Sequence, residues 1–198
     1  MKNGDVLHNQ WVDSHEELVT LNNLRDNGRE SFVRIEYIPK ERKLYDIDNY
    51  ELVVDERETP EWFEQYRDKV ERKMRLIIRN MIVSKDTELI IGRRVIVKPG
   101  VNIQTIRSCV IEALENSRVN KMLENSRVNM MLDNSQVNEM LGDSRVNKMW
   151  GNSKVNEMWD NSQVNEMLGN SQVNKMLGNS QVNMMWDNSR SPRQTHFN

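Results

Sequence analysis

Valine recurs every nine residues through the second half of the chain, at Val101, Val110, Val119, Val128, Val137, Val146, Val155, Val164, Val173 and Val182. From Val119 onward each copy reads V-N-x-M-[L/W]-x-[N/D]-S-x, as in Val128-Asn129-Met130-Met131-Leu132-Asp133-Asn134-Ser135-Gln136. A helix does not fit this period. Nine residues turn an α-helix through about 900°, which sets each valine opposite its predecessor and leaves no apolar stripe. One long strand fails as well, because an odd repeat changes faces at every copy when the side-chain period is two. The pattern survives if the chain bends within each unit and stacks its copies, as in a parallel β-solenoid.

The residue types agree with that geometry. Ser126 and Val128 share one strand face while Arg127 and Asn129 share the other, giving an inward small residue and an inward β-branched one. The x-[N/D]-S triplet is turn chemistry, since Asn and Asp tolerate left-handed backbone. Methionine fills the irregular space beside the corner, and stacked Asn and Ser are suited to hydrogen-bonded ladders. Copies before Val119 are degenerate, with Gln104 or Ala113 at the methionine place, as terminal units of an array are. Every Val, Met and Ser of the array reads as core or corner.

The variable positions carry a second period. After the Met-Leu/Trp pair the chain runs Asp133, Gly142, Gly151, Asp160, Gly169, Gly178, Asp187, a cycle of 27 residues. Lys121, Lys148 and Lys175 are likewise 27 apart, as are Glu139 and Glu166. This favours a three-sided coil of about 27 residues over a flattened coil of 18, although duplication of a three-unit block would leave the same trace.

The first hundred residues are different in kind. Val33, Ile35 and Tyr37 alternate with polar neighbours and predict a half-buried strand, with a second strand at Tyr50 to Val54. Thr59-Pro60-Glu61 is a helix start, Thr59 as N-cap and Pro60 at the first helical position. Trp62, Phe63, Tyr66, Val70, Met74, Ile77, Ile78 and Met81 then fall at helical spacing, predicting an amphipathic helix over about 60–80. Leu18, Leu21 and Leu24 permit a shorter helix. Short strands are expected at Leu89–Ile91 and Val95–Val97. The fold class is therefore mainly β. A small α+β region over 1–98 is expected to cap the open end of a nonapeptide solenoid over 99–189, with a polar tail over 190–198.

Charge divides the chain the same way. Residues 1–66 hold 8 Lys/Arg against 16 Asp/Glu, residues 67–98 hold 10 against 4, and residues 99–198 hold 10 against 10. Cys109 is the single cysteine, which excludes an internal disulfide framework; its place in the array makes core its expected role. No signal pattern or membrane-length apolar run is present, so a cytoplasmic location is expected.

Candidate chemistry is sparse. Arg67, Lys69, Arg72, Lys73, Arg75 and Arg79 on the helix, with Arg93, Arg94 and Lys98, form a basic strip able to track phosphate. Glu64, Asp68 and Glu71 among them equally describe an ordinary solvated helix face. Asp46, Asp48, Asp55 and Glu56 are acidic enough to hold a cation, but loops are commonly acidic. His8, His15 and His196 have no ligand spacing. No catalytic set, metal site or cofactor is expected, and calcium is disfavoured because each turn carries one acid at most. Trp150, Trp159 and Trp186 follow methionine where other copies have leucine; facing outward, they would make an apolar strip for a protein partner.

A unit of the form Asn-Ser-Gln-Val-Asn-Glu-Met-Trp-Asp, carried with small changes at residues 134–142 and 161–169, resembles the nonapeptide-repeat proteins of gut bacteria and their phages. The resemblance covers about half of the chain. It implies a mobile-element or phage origin, with a virion or host-cell location if phage-derived, and a variable N-terminal region ahead of the array, and it supplies no catalytic residues. The expected function is a non-enzymatic solenoid that binds another protein or assembles with itself, with a homodimer through the last coil. Nucleic-acid association through the basic helix is the alternative, and a small enzyme in residues 1–98 the third. No membrane partner is expected.

Overall fold

The computed structural model describes residues 5–12, 14–23 and 32–192. The chain divides into two compact units, Met1–Met81 and Ile82–Asn198.

In the first unit, α1 (His15–Leu21) begins at Ser14, whose side chain accepts the Glu17 N–H. Strands β1 (Ile35–Pro39) and β2 (Tyr50–Val54) pair antiparallel. Tyr37 and Tyr50 stack across them with centroids 5.4 Å apart. The single helix expected over 60–80 is two, α2 (Glu61–Glu64) and α3 (Arg67–Met81). Pro60 keeps an extended ψ of 139° and is itself the cap residue, without a side-chain cap bond from Thr59. A tight turn, Tyr66 N–H to Phe63 O at 2.8 Å, separates the helices. That turn brings Trp62 and Tyr66 edge to face at 6.5 Å.

The second unit is a parallel β-solenoid of two sheets. The seven-stranded sheet stacks β3 (Ile82–Val83), β5 (Arg94–Val97), β7 (Val110–Glu115), β9 (Arg127–Leu132), β11 (Arg145–Met149), β13 (Gln163–Met167) and β15 (Gln181–Met185). The six-stranded sheet stacks β4 (Thr87–Ile91), β6 (Asn102–Arg107), β8 (Arg118–Leu123), β10 (Gln136–Met140), β12 (Lys154–Met158) and β14 (Gln172–Met176). Consecutive strands lie in opposite sheets, so a coil holds two units and spans 18 residues, as in Val119↔Val137↔Val155↔Val173. The three-sided coil is thereby replaced by the flattened one. The strands at 89–91 and 95–97 are rungs of the solenoid itself, which begins at Ile82 rather than at residue 99.

The core lies between the sheets. Val119, Val128, Val137, Val146, Val155 and Val164 are fully buried, with Met122, Met131, Met140, Met149, Met158 and Met167 beside them and the serines Ser126 to Ser180 closing the corner. The inward positions of the unit are Ser and Val, as the strand alternation predicted, and Met, three residues after Val and off that alternation, in the space beside the corner.

The first coils depart from the valine period. Ile103 pairs with Val119 and Ile111 with Val128, while Val101 and Val110 sit elsewhere in the register. Ile106 and Leu114 occupy the methionine place, not Gln104 and Ala113. The cause is a shorter unit. Left-handed residues mark the corners at Gly92, Gly100, Ser108, Asn116 and Glu124, eight apart, and then at Asp133, Gly142, Gly151, Asp160, Gly169, Gly178 and Asp187, nine apart. The nonapeptide is the octapeptide with one residue added after its left-handed residue, an asparagine in each unit except for Asp143. Cys109 takes the serine place of an octapeptide, 1% exposed, with its thiol 3.1 Å from Ile90 O.

Candidate functional site

Outside the core, the array builds columns of like-placed side chains. Asn120, Asn138, Asn156 and Asn174 form one amide ladder, each Nδ2 donating to the Oδ1 of the coil before at 2.6 to 3.0 Å. Asn129, Asn147, Asn165 and Asn183 form a second on the other sheet, and Asn129 also donates to Glu112. A third follows the corner at Asn116, Asn134, Asn152, Asn170 and Asn188. These asparagines are part of the scaffold, and those on the strands are largely half-buried between neighbours.

The charged columns explain the coil size. Lys121 faces Glu139 at 3.2 Å, Lys148 faces Glu166 at 3.2 Å and Lys175 faces Glu157 at 3.7 Å, in each case one coil apart. A 27-residue coil would instead have stacked Lys121 on Lys148 on Lys175 and Asp133 on Asp160 on Asp187. Like charges at that spacing repel by about 1 kcal/mol per pair in water. In the 18-residue coil the aspartates stack on glycines. Asp160 accepts the Gly142 N–H at 2.9 Å and Asp187 accepts the Gly169 N–H at 3.1 Å. The lysines and aspartates thus favour the 18-residue coil, although Glu139 stacks on Glu157 and Arg127 on Arg145 at the same spacing.

The three tryptophans do face outward, at 49%, 37% and 58% exposure for Trp150, Trp159 and Trp186. They do not form one strip. Trp150 and Trp186 follow strands of the seven-stranded sheet and share an edge with Leu132 and Leu168. Trp159 follows β12 in the other sheet, where it donates to Glu157 and lies 5.1 Å under the Lys175 ammonium.

The C-terminal end of the solenoid is half closed. Over β14, Val173 N–H donates to Arg190 O and Arg190 N–H to Ser171 O, so the chain starts one more rung there. Among the described residues β15 pairs with β13 alone. Met185 stands at the place where interior methionines are fully buried, yet it is 41% exposed, beside Met184 and Trp186 and half-buried Val182. Ser191 touches the Met185 sulfur. Residues 193–198, and with them His196, lie outside the described residues. β15 carries no charged side chain, whereas each strand from β4 to β14 carries at least one.

The basic residues are drawn into local pairs. Arg67 bonds Glu64 at 3.0 Å, Lys73 bonds Asp5 at 2.8 Å and Arg75 bonds Asp48. These bonds hold the Asp5 and Glu64 carboxyls below their ordinary range, through the Lys73 and Arg67 hydrogen bonds respectively. Lys69 lies over the Tyr66 ring, and Arg72 and Arg79 are exposed on α3. Arg94 pairs with Glu112 at 3.1 Å on the solenoid, where Arg93 and Lys98 are exposed.

The acids proposed for a cation are engaged separately. Asp46 accepts the Asp48 N–H, Glu56 pairs with Arg34 at 3.1 Å, and Asp55 pairs with His15 at 3.2 Å. His15, Glu36 and Asp55 come together, a grouping across three elements that sequence spacing does not reveal. Among the described residues no helix is long and apolar enough to cross a membrane. Comparison with protein-family models, with curated proteins and with solved structures finds no match to this chain.

Proposed function

We propose that this chain is a non-enzymatic assembly module whose solenoid associates with a second protein surface, in the first place that of another copy. The supporting observation is the last coil. Core positions that are sealed in every interior nonapeptide coil are open at β15, beside a tryptophan and a methionine that already point outward. A monomer seldom leaves a strand edge and a slice of core uncovered together. The resemblance to nonapeptide-repeat proteins of gut bacteria and phages is consistent with a building-block role. The basic residues support the nucleic-acid reading less, because Arg67, Lys73, Arg75 and Arg94 already hold carboxylates.

The test is mass in solution by sedimentation velocity over micromolar concentrations. Self-association above the 23.5 kDa monomer is expected. A monomer at every concentration, with salt-dependent retention on nucleic acid, would overturn the proposal and give the work to α3.

A further inference from the structure

Resting on that reading, we infer that the partner is a second copy of this chain, joined β15 to β15 about a two-fold axis to give a closed dimer. Three observations select this arrangement over other occupants of the end.

The first is charge. On a two-fold axis each side chain near the axis meets its own copy, so any charge there meets a like charge. Edge strands that must stay unpaired are commonly protected by lysine or another charge. β15 reads Gln181-Val182-Asn183-Met184-Met185 and has none, although the same place as Met184 is Lys121, Lys148 or Lys175 in other units. Loss of the charge at the terminal strand is what self-pairing requires.

The second is length. A head-to-tail joint that continued each sheet in order would set the five-residue β15 on β3, which spans two residues, and the five-residue β4 on the Arg190 rung, so neither sheet would be matched in length. Head to head, five residues meet five.

The third is the half-closed geometry. Arg190 bridges β14 at Gln172, so among the described residues β15 is the strand at this end with no neighbour on its outer edge. Pairing two such strands occupies both β15 edges, and the joint closes at two.

The experiment uses the full chain and two lysine variants. Met184→Lys should leave the fold intact, because Glu166 lies beneath Met184 in register and pairs with lysine in the adjoining coil. Met130→Lys introduces the same charge at the same place of an interior strand, beside Lys148 in register, and serves as the control with its far-ultraviolet spectrum checked against the wild type. Light scattering after size exclusion should give twice the monomer mass for the wild type and for Met130→Lys, and the monomer mass for Met184→Lys with an unchanged far-ultraviolet spectrum. A Met184→Lys protein that is still dimeric would overturn the β15 joint while leaving self-association in place. A monomeric wild type would overturn both. Masses climbing beyond the dimer would overturn the closed two-fold joint.

Discussion

Two side chains in each unit, the valine and the methionine, fill the space between the sheets, and a third, the serine, lets the corner close. Val146 has no exposed surface, so Val146→Asp would bury a charge without a partner, a cost of several kcal/mol. Its neighbour Asn147 is not simply wet. It donates to Asn129 at 2.9 Å and accepts from Asn165 at 3.2 Å. Asn147→Asp sets a carboxylate oxygen against the Asn129 carbonyl oxygen and should cost about 1–2 kcal/mol. Urea unfolding of both variants checks the order, wild type above Asn147→Asp above Val146→Asp; equal midpoints for the two variants would refute the face assignment. The serines behave differently. Ser135, Ser144, Ser153, Ser162, Ser171 and Ser180 are buried, and none of their hydroxyls has a hydrogen-bond partner among the described residues. Removing an unpaired buried hydroxyl relieves its desolvation cost. Ser153→Ala is expected to match or exceed the wild-type urea midpoint, and a loss above about 1 kcal/mol would mean that the hydroxyl bonds in solution.

At the scale of the element, the nine-residue unit was legible because its inward set is so regular. The strand β2 fell at the bounds its residue types set, and α1 formed where Leu18 and Leu21 allowed it. The earlier units misled for a physical reason. Val101 and Val110 happen to continue the nine-residue count, but octapeptide units shift the core to Ile103 and Ile111. A left-handed corner can be made by Gly, Asn, Ser, Asp or Glu, all of which occur here, so residue type alone does not mark it. The long helix was misread because Trp62, Phe63, Tyr66 and Val70 keep helical spacing across the tight turn that separates α2 from α3, and Pro60 caps α2 where it was expected at the first helical position. Contacts between coils are testable by mutant cycles. Lys148→Met with Glu166→Gln should show a coupling of about 0.2–1 kcal/mol, the usual range for an exposed pair. Lys148→Met with Lys175→Met should show none. Reversed couplings would place these lysines in adjoining coils.

For the whole molecule, the parallel solenoid could be derived from periodicity, and the number of sides could not be derived from the repeat length alone. The 27-residue cycle amounts to one and a half coils, so it has no counterpart in the geometry and is best explained as a trace of block duplication. Its effect is to copy the same side chains alternately onto the two sheets, which is why Trp159 and Trp186, 27 residues apart, lie on opposite sheets. Reading the lysine column by charge would have pointed to the correction, since Lys121, Lys148 and Lys175 meet glutamates at a spacing of 18 and one another at 27, although Glu139 also meets Glu157 at 18. The candidate surface at β15 was legible only as an uncapped end; that one half is already closed by Arg190 depends on tertiary pairing far from any local signal. The coil itself can be measured with paired spin labels in a Cys109→Ser background, a substitution that restores the residue usual at that place. Labels at Lys148→Cys and Glu166→Cys should sit on neighbouring strands about 5 Å apart and show strong dipolar broadening. Labels at Lys148→Cys and Lys175→Cys should sit on opposite sheets and show no such broadening. Broadening in the second pair and its absence in the first would contradict the two-sided coil.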